Sequence, residues 1–419
     1  MDGITNTQAA RRGTSRRRPV TAVVVVATAL VLAGCAGSTA APNTATPSAS
    51  SSSDAVYTFD VDALTTLFEE SVDEMLVPGA VMIIRTPDGE AEVAYGVTEW
   101  GGSTPVTLDD HIRIGSNTKT WTGTVILQLV EEGAIALDDP VSKYRPDVPN
   151  GDNITIEQLL TMRSGLYNYT QTLELNTALD VTPERVWDPE ELVKMGLAEP
   201  PYFAPGTGYE YSNTNTVLLG LIAEDLDGKP LAKIYEDRLF TPLGLTETSY
   251  PDVTDTSMPE PYPHGYMFSN NVDTMDGEGW LSNAEIAAAA AGDLLPTDHT
   301  NDNPSWTSAA GMGISTAPEI ATWVEALAGG GLLSDEMQQR RMASLEPNEE
   351  GGQYGWGIAG MGTFYGHIGS LPGYNSFMGY DPATDVTVVV WTTLAPGADG
   401  AATAALLARY LIESMYGTS

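Results

Sequence analysis

The sequence predicts an α/β (α+β) fold: one antiparallel sheet flanked by terminal helices, with a mostly helical lobe inserted between its strands. Three observations carry this. Runs rich in β-formers lie near both ends of the 419-residue chain. The stretch between them reads as helical segments broken by Gly and Pro, and helical periodicity returns at both outer ends of the body.

Taken in order, Val61 to Met75 has helical spacing. Pro78-Gly79 follows, then AVMIIRTPDGEAEVAYG, two β-rich runs around the turn Pro87-Asp88-Gly89. Helical segments follow at 116–132, 155–162, 189–196, 214–226 and 230–238. Residues 251 to 305 are rich in Asp, Asn and Pro and read as loop. Strand signals return at 363–368, Tyr374 to Tyr380 and Val386 to Thr392, and Ala401 to Met415 closes the chain as an apolar-faced helix. The expected division is a sheet lobe of 56–114 with 306–419 and a helical lobe of 115–305, with a cleft between them. No internal repeat is visible.

The first 55 residues read as export and tether. Arg11, Arg12 and Arg16 to Arg18 form a basic n-region, and Val20 to Leu32 is an apolar run too short to span a bilayer. Residues 1–34 are therefore expected to be a signal peptide. Leu32-Ala-Gly-Cys35 resembles a lipobox, which implies cleavage before Cys35 and its lipidation. Residues 35–55 form a Ser/Thr/Pro/Ala-rich tether with a reach of about 25 Å r.m.s.. The expected location is the outer face of the cell membrane, held by a lipid anchor. Cys35 is the only cysteine, so no disulfide can brace the fold.

Charge narrows the partners. The chain carries −37 formally; removing residues 1–34, with five Arg and one Asp, leaves 14 basic and 55 acidic side chains, or −41. Such a field repels nucleic acid and disfavours anionic ligands. The four His at 111, 264, 299 and 367 show no metal-ligand spacing, so neither metal nor cofactor is expected.

Three motifs carry chemistry. In Gly115-Ser-Asn-Thr-Lys-Thr-Trp121, Ser116 and Lys119 share a helix face, so a desolvated amine can act as base toward the hydroxyl. The alternative is a lysine that merely snorkels to the surface. Tyr209-Glu-Tyr-Ser-Asn213 offers Tyr211 as a proton carrier and Asn213 as a donor and acceptor for a substrate amide. Tyr365-Gly-His-Ile-Gly-Ser-Leu-Pro-Gly-Tyr374 places a glycine after His367 and Ile368, so a ligand can approach the strand and the Ser370 N–H can face an oxyanion. Lys194-Met-Gly196 also fits a K/H-x-G pattern but precedes the second motif and is set aside.

In this order the motifs resemble the serine β-lactamase and penicillin-binding hydrolase family, most closely its secreted actinobacterial D-alanyl-D-alanine carboxypeptidases. Val77-Pro-Gly-Ala80, Leu159 to Thr170 (LLTMRSGLYNYT), Thr241 to Thr248, Ser308-Ala-Ala-Gly311 with Ser315-Thr316, and Tyr354-Gly-Trp-Gly357 extend the resemblance over residues 60 to 415. It implies Ser116 as the acylated nucleophile and Lys119 and Tyr211 as proton handlers. It further implies Asn213 and His367 on the substrate side, with the N–H groups of Ser116 and Ser370 as oxyanion hole. Trp306 is either an aromatic wall of the cleft or a packed core residue.

The implied activity is a D,D-peptidase on cell-wall peptides, with an esterase or neutral-peptide hydrolase as the alternative. A β-lactamase or a non-hydrolytic penicillin sensor ranks lower. Two departures bear on this choice. Ile368 stands where the family usually has Thr or Ser, and no Lys or Arg lies between Tyr354 and Tyr374 to meet a free carboxylate.

Overall fold

The computed structural model describes residues 57–275, 280–348 and 351–417. The expected signal peptide, Cys35 and tether up to residue 55 lie outside the described residues. Among the described residues no helix is long and apolar enough to cross a membrane.

Helix α1, Val61–Glu74, is capped by Asp60, whose carboxylate accepts from Ala63 N. It leads into β1, Gly79–Thr86, and β2, Gly89–Gly96. After the helical middle of the chain come β3 Glu346–Pro347, β4 Gln353–Tyr354, β5 Ala359–Met361, β6 Phe364–Leu371, β7 Tyr374–Asp381 and β8 Val386–Thr392. The sheet order is β2-β1-β8-β7-β6-β5-β4-β3, and every neighbouring pair is antiparallel. The first hairpin joins the last strand in the register Ile83↔Val389. Strands from both ends of the chain thus share one sheet.

Alternation along the strands splits the core in two. Ala80, Met82 and Ile84 join Val386, Val388 and Val390 on one face. There they bury Leu64, Phe68 and Val72 of α1, with Leu407, Leu411 and Met415 of the last helix. Val81, Ile83, Val389 and Trp391 point the other way, into the larger core with the remaining helices. Phe68 is fully buried; its removal would cost about 3–5 kcal/mol.

The helical middle centres on α2, Thr118–Glu131, which is buried from Thr118 through Leu127. A helix apolar and buried all round is a core element. Asn213–Asp227 packs against it, and Pro189–Ala198 packs against Asn213–Asp227 in turn.

Several elements depart from the expected pattern. Residues 251–305 are not all loop: they hold short helices at Asn271–Met275 and Asn283–Ala290 and a strand pair at Tyr266–Met267 and Thr297–Asp298. Helices Leu173–Val181, Ala317–Gly329 and Asp335–Ala343 are additional to the expected segments, although Ala317–Gly329 does carry an apolar stripe, at Ile320, Val324 and Leu327. The last of these buries only Met337 and Arg341, so no apolar stripe marks it.

Candidate active site

The serine turn is built by close backbone approach. Gly115 opens a 3-10 turn, Gly115–Asn117, at φ +55°, a conformation that favours glycine. A Cβ there would lie 2.6 Å from Ser370 N, and one on Gly369 would lie 1.9 Å from Ile114 O. The two glycines therefore let β6 press against the turn and bring the Ser370 amide beside Ser116. Asn117 Nδ2 donates to Ser376 Oγ at 2.9 Å, and Ser376 Oγ donates to Ile114 O at 3.0 Å, tying the turn to β7. β5 pairs with β6 only at Phe364 to Gly366, which leaves the 367–371 edge without a strand neighbour on that side.

Lys119 lies one turn into α2 with its Nζ 2.9 Å from Ser116 Oγ, and it donates to Ala310 O at 2.8 Å. The side chain is 1 % exposed. Burial drives its pKa well below the ordinary 10.5, toward the neutral amine that can accept a proton. Two residues before the Ala310 carbonyl, the Ser308 backbone lies at φ 42°, ψ −138°. Strain of this kind costs about 1–3 kcal/mol and concentrates at functional sites. Thr122 Oγ1 donates to the neighbouring Ala309 O at 2.8 Å, fixing the same segment to α2.

Tyr211 sits with its ring 4.8 Å from Lys119 Nζ. Its other faces meet Tyr354, edge-on at 6.0 Å, and His367 at 6.1 Å. His367 is buried among these rings, and burial first, then Lys119 whenever its amine is protonated, holds its pKa down at about 3. The neutral ring has one tautomer that satisfies both contacts: Nδ1–H donates to Ile368 O at 2.7 Å, and Nε2 accepts from Tyr354 O–H at 3.1 Å. Sequence reasoning placed Tyr354 only within a family segment; here it is the hydrogen-bonding partner of His367.

Asn213 opens the helix Asn213–Asp227. Its backbone N donates to Asn168 Oδ1 at 3.1 Å, and its Nδ2 donates to Asn168 Oδ1 and Thr170 Oγ1, both at 3.2 Å. Asn168 and Thr170 were legible only as part of LLTMRSGLYNYT.

Ser116, Asn213, Trp306 and Ser370 line one cleft of about 390 Å³, with Leu175, Leu179, Met267, Trp280 and the amides of Gln171, Asn176 and Asn271. Trp306 is at once cleft wall and packed aromatic: it rests on the larger core while its carbonyl accepts from Tyr169 O–H at 2.7 Å. Lys119 lies behind Ser116; Tyr211 and His367 are not among the lining residues. No Lys, Arg, Asp or Glu lines the cleft among the described residues. Arg163, in the segment that also supplies Asn168 and Thr170, is committed to Glu346 at 3.0 Å and to the carbonyls of Thr161 and Pro347. Lys194 is exposed on its helix. Among the described residues no group of three His, Cys, Asp or Glu could hold a metal ion.

A serine whose hydroxyl meets a buried, neutralised lysine, with a tyrosine across the amine, its own turn amide and the strand-edge amide of Ser370 nearby, is the constellation of a serine hydrolase. The chain belongs to the Beta-lactamase family, whose sequence profile matches residues 64–412. A D-stereospecific amidohydrolase from a Streptomyces species superposes with a TM-score of 0.71 at 30% identity, over 86% of this chain and 100% of its own. Protein flp of Staphylococcus aureus (strain MRSA252) is 25% identical over 342 residues, 79% of this chain but 62% of flp. The D-alanyl-D-alanine-carboxypeptidase/endopeptidase AmpH of Escherichia coli (strain K12) is 32% identical over 178 residues, 40% of this chain and 45% of AmpH.

Proposed function

We propose that this protein is a serine acyl hydrolase that cleaves amide or ester bonds of D-configured acyl compounds whose leaving end is uncharged. The cleft around Ser116 carries this reading, because none of its described lining residues is a Lys or Arg able to meet a terminal carboxylate. Ile368, 36 % exposed on β6, supplies no hydroxyl there either. The likeness to a D-stereospecific amidohydrolase supports both the stereochemistry and the bond type.

In the proposed cycle neutral Lys119 takes the Ser116 proton as Oγ attacks the carbonyl carbon. The N–H groups of Ser116 and Ser370 hold the oxyanion. The carbonyl re-forms as the leaving amine or alcohol departs with a proton delivered through Lys119 and Tyr211. Water then attacks the acyl-serine by the same route, restoring Ser116 and releasing the acid. His367, neutral and hydrogen-bonded to Tyr354, acts here by holding the aromatic cluster around Tyr211.

A D-alanyl-D-alanine carboxypeptidase is the second reading, favoured by the likeness to AmpH. The two separate on matched N-acetyl dipeptides of D-residues, one ending in a carboxamide and one in a free carboxylate, each assayed with wild type and Ser116→Ala. The first reading expects the carboxamide to have the higher kcat/KM. A higher value for the free carboxylate would overturn it in favour of the carboxypeptidase.

The lipobox-like Leu32-Ala-Gly-Cys35 further supports an exported lipoprotein held at the membrane's outer face. Cys35→Ala should release the protein from the membrane fraction of cells expressing the full chain; unchanged partitioning would refute the anchor.

A further inference from the structure

Besides Ser116 and the strand edge, two stretches far apart in sequence wall the cleft. Leu175 and Leu179 come from the helix Leu173–Val181, whereas Met267, Asn271 and Trp280 come from the later stretch that holds the short helix Asn271–Met275. The later stretch hangs from the sheet: Tyr266 N donates to Thr393 O and Leu281 N to Ala398 O, both at 2.9 Å, just beyond β8. Its hydrogen bonds to the first wall, among the described residues, all end on one side chain. Asp180 Oδ1 accepts from Asn271 N at 2.7 Å and from Asn271 Nδ2 at 2.8 Å, and Asp180 Oδ2 accepts from Val272 N at 3.0 Å. Asp180 is exposed and does not itself line the cleft.

We propose that Asp180 is a positioning residue that sets the size selectivity of this cleft by clasping its two walls together. The proposal rests on the acyl-hydrolase reading above and concerns that same site. A substrate much larger than an acetyl compound lies between the walls, and its contacts there yield their full binding energy only if the spacing is fixed beforehand. Three hydrogen bonds to one carboxylate fix it. Without them the later stretch still hangs from Thr393 and Ala398, and each bound substrate has to order the wall at the expense of affinity. A substrate that fills only the space around Ser116 needs neither wall.

The test compares two probes on wild type, Asp180→Ala and Asp180→Asn: S-methyl thioacetate as the small one and the p-nitrophenyl ester of N-acetyl-D-phenylalanine as the large one. Each variant rate is divided by the wild-type rate for the same probe, with Ser116→Ala run beside them. Asp180→Ala is expected to lower kcat/KM for the large probe about fivefold or more, mainly through KM, and to leave the small probe nearly unchanged. Asp180→Asn keeps an oxygen acceptor for Asn271 and is expected to fall between; it carries the same test if the alanine variant folds poorly. An equal effect on both probes, or none on either, would overturn the proposal and leave the acyl-hydrolase reading standing, since lost stability alone lowers both rates alike. Turnover by Ser116→Ala equal to wild type would overturn the hydrolase reading and the proposal with it.

Discussion

Tyr354 O–H donates to His367 Nε2 at 3.1 Å, and this bond holds the neutral imidazole of β6 behind the Ser116–Lys119 pair. The residue of the third motif therefore does not reach into the cleft as a charge. It packs among Tyr211, Tyr354 and the strand, with Nδ1–H on Ile368 O.

Tyr354→Phe keeps the ring contacts with Tyr211 and removes the O–H from which the buried His367 Nε2 accepts. Stability should fall by about 1–3 kcal/mol in denaturant unfolding, with KM little changed because Tyr354 does not line the cleft.

His367 also sets a pH dependence of stability. Its folded pKa of about 3 lies below the ordinary 6.5, so the unfolded chain takes up a proton that the folded chain refuses between these values. The neutral ring costs nothing above about pH 6.5, and stability is lost as pH falls from there toward 3, by about 1.4 kcal/mol per pH unit at most. His367→Gln should remove close to one proton from the acid dependence; carboxylate titrations common to both proteins cancel in the difference. Parallel stability curves for the two proteins would contradict a buried neutral His367.

Lys119→Met should separate stability from activity. The folded pKa of Lys119 is depressed, so below the unfolded value of 10.5 the unfolded chain gains a proton that burial resists. That linkage opposes folding increasingly as pH drops through the window between the unfolded value and the depressed folded one. Replacing the amine by an apolar chain of similar length should stabilise the protein by about 1–3 kcal/mol while cutting kcat about 10²–10⁴-fold. Thermal and denaturant unfolding at pH 7, read beside the Ser116-dependent rate, checks both signs.

How much of this was legible beforehand follows from range. Ser116 and Lys119 are three residues apart, so helix geometry alone brought them together. The strands were legible because buried β-branched runs such as VTVVVWT dominate their neighbours. Asp335–Ala343 was not: its buried Arg341, fully enclosed and bonded to Thr124 Oγ1 and Gly357 O, reads in sequence as a surface charge. Nor was the pairing of Asn213 with Asn168, 45 residues away. The loop-like 251–305 hid short helices because little of them is buried, as in Asn283–Ala290 where only Ala289 is and no apolar stripe follows the Ser282–Glu285 capping box, or because the cap is remote in sequence, as with Asp180 beneath Asn271.

Gly115→Ala tests the approach of the serine turn to β6. The new Cβ would sit 2.6 Å from Ser370 N at a backbone φ of +55°. The strand edge must retreat, and loss of one oxyanion donor costs about 10²–10³ in kcat. Steady-state kinetics should show the loss in kcat with KM nearly constant.

The central claim is that Ser116 is acylated. Intact-mass measurement of acid-quenched wild type mixed with excess N-acetyl-D-phenylalanine p-nitrophenyl ester, with Ser116→Ala treated identically, tests it most directly. The account predicts one acyl group on wild type, mapping to the peptide that contains Ser116, and none on the variant. An acyl group of equal occupancy on Ser116→Ala, or one mapping to another residue in wild type, would contradict it.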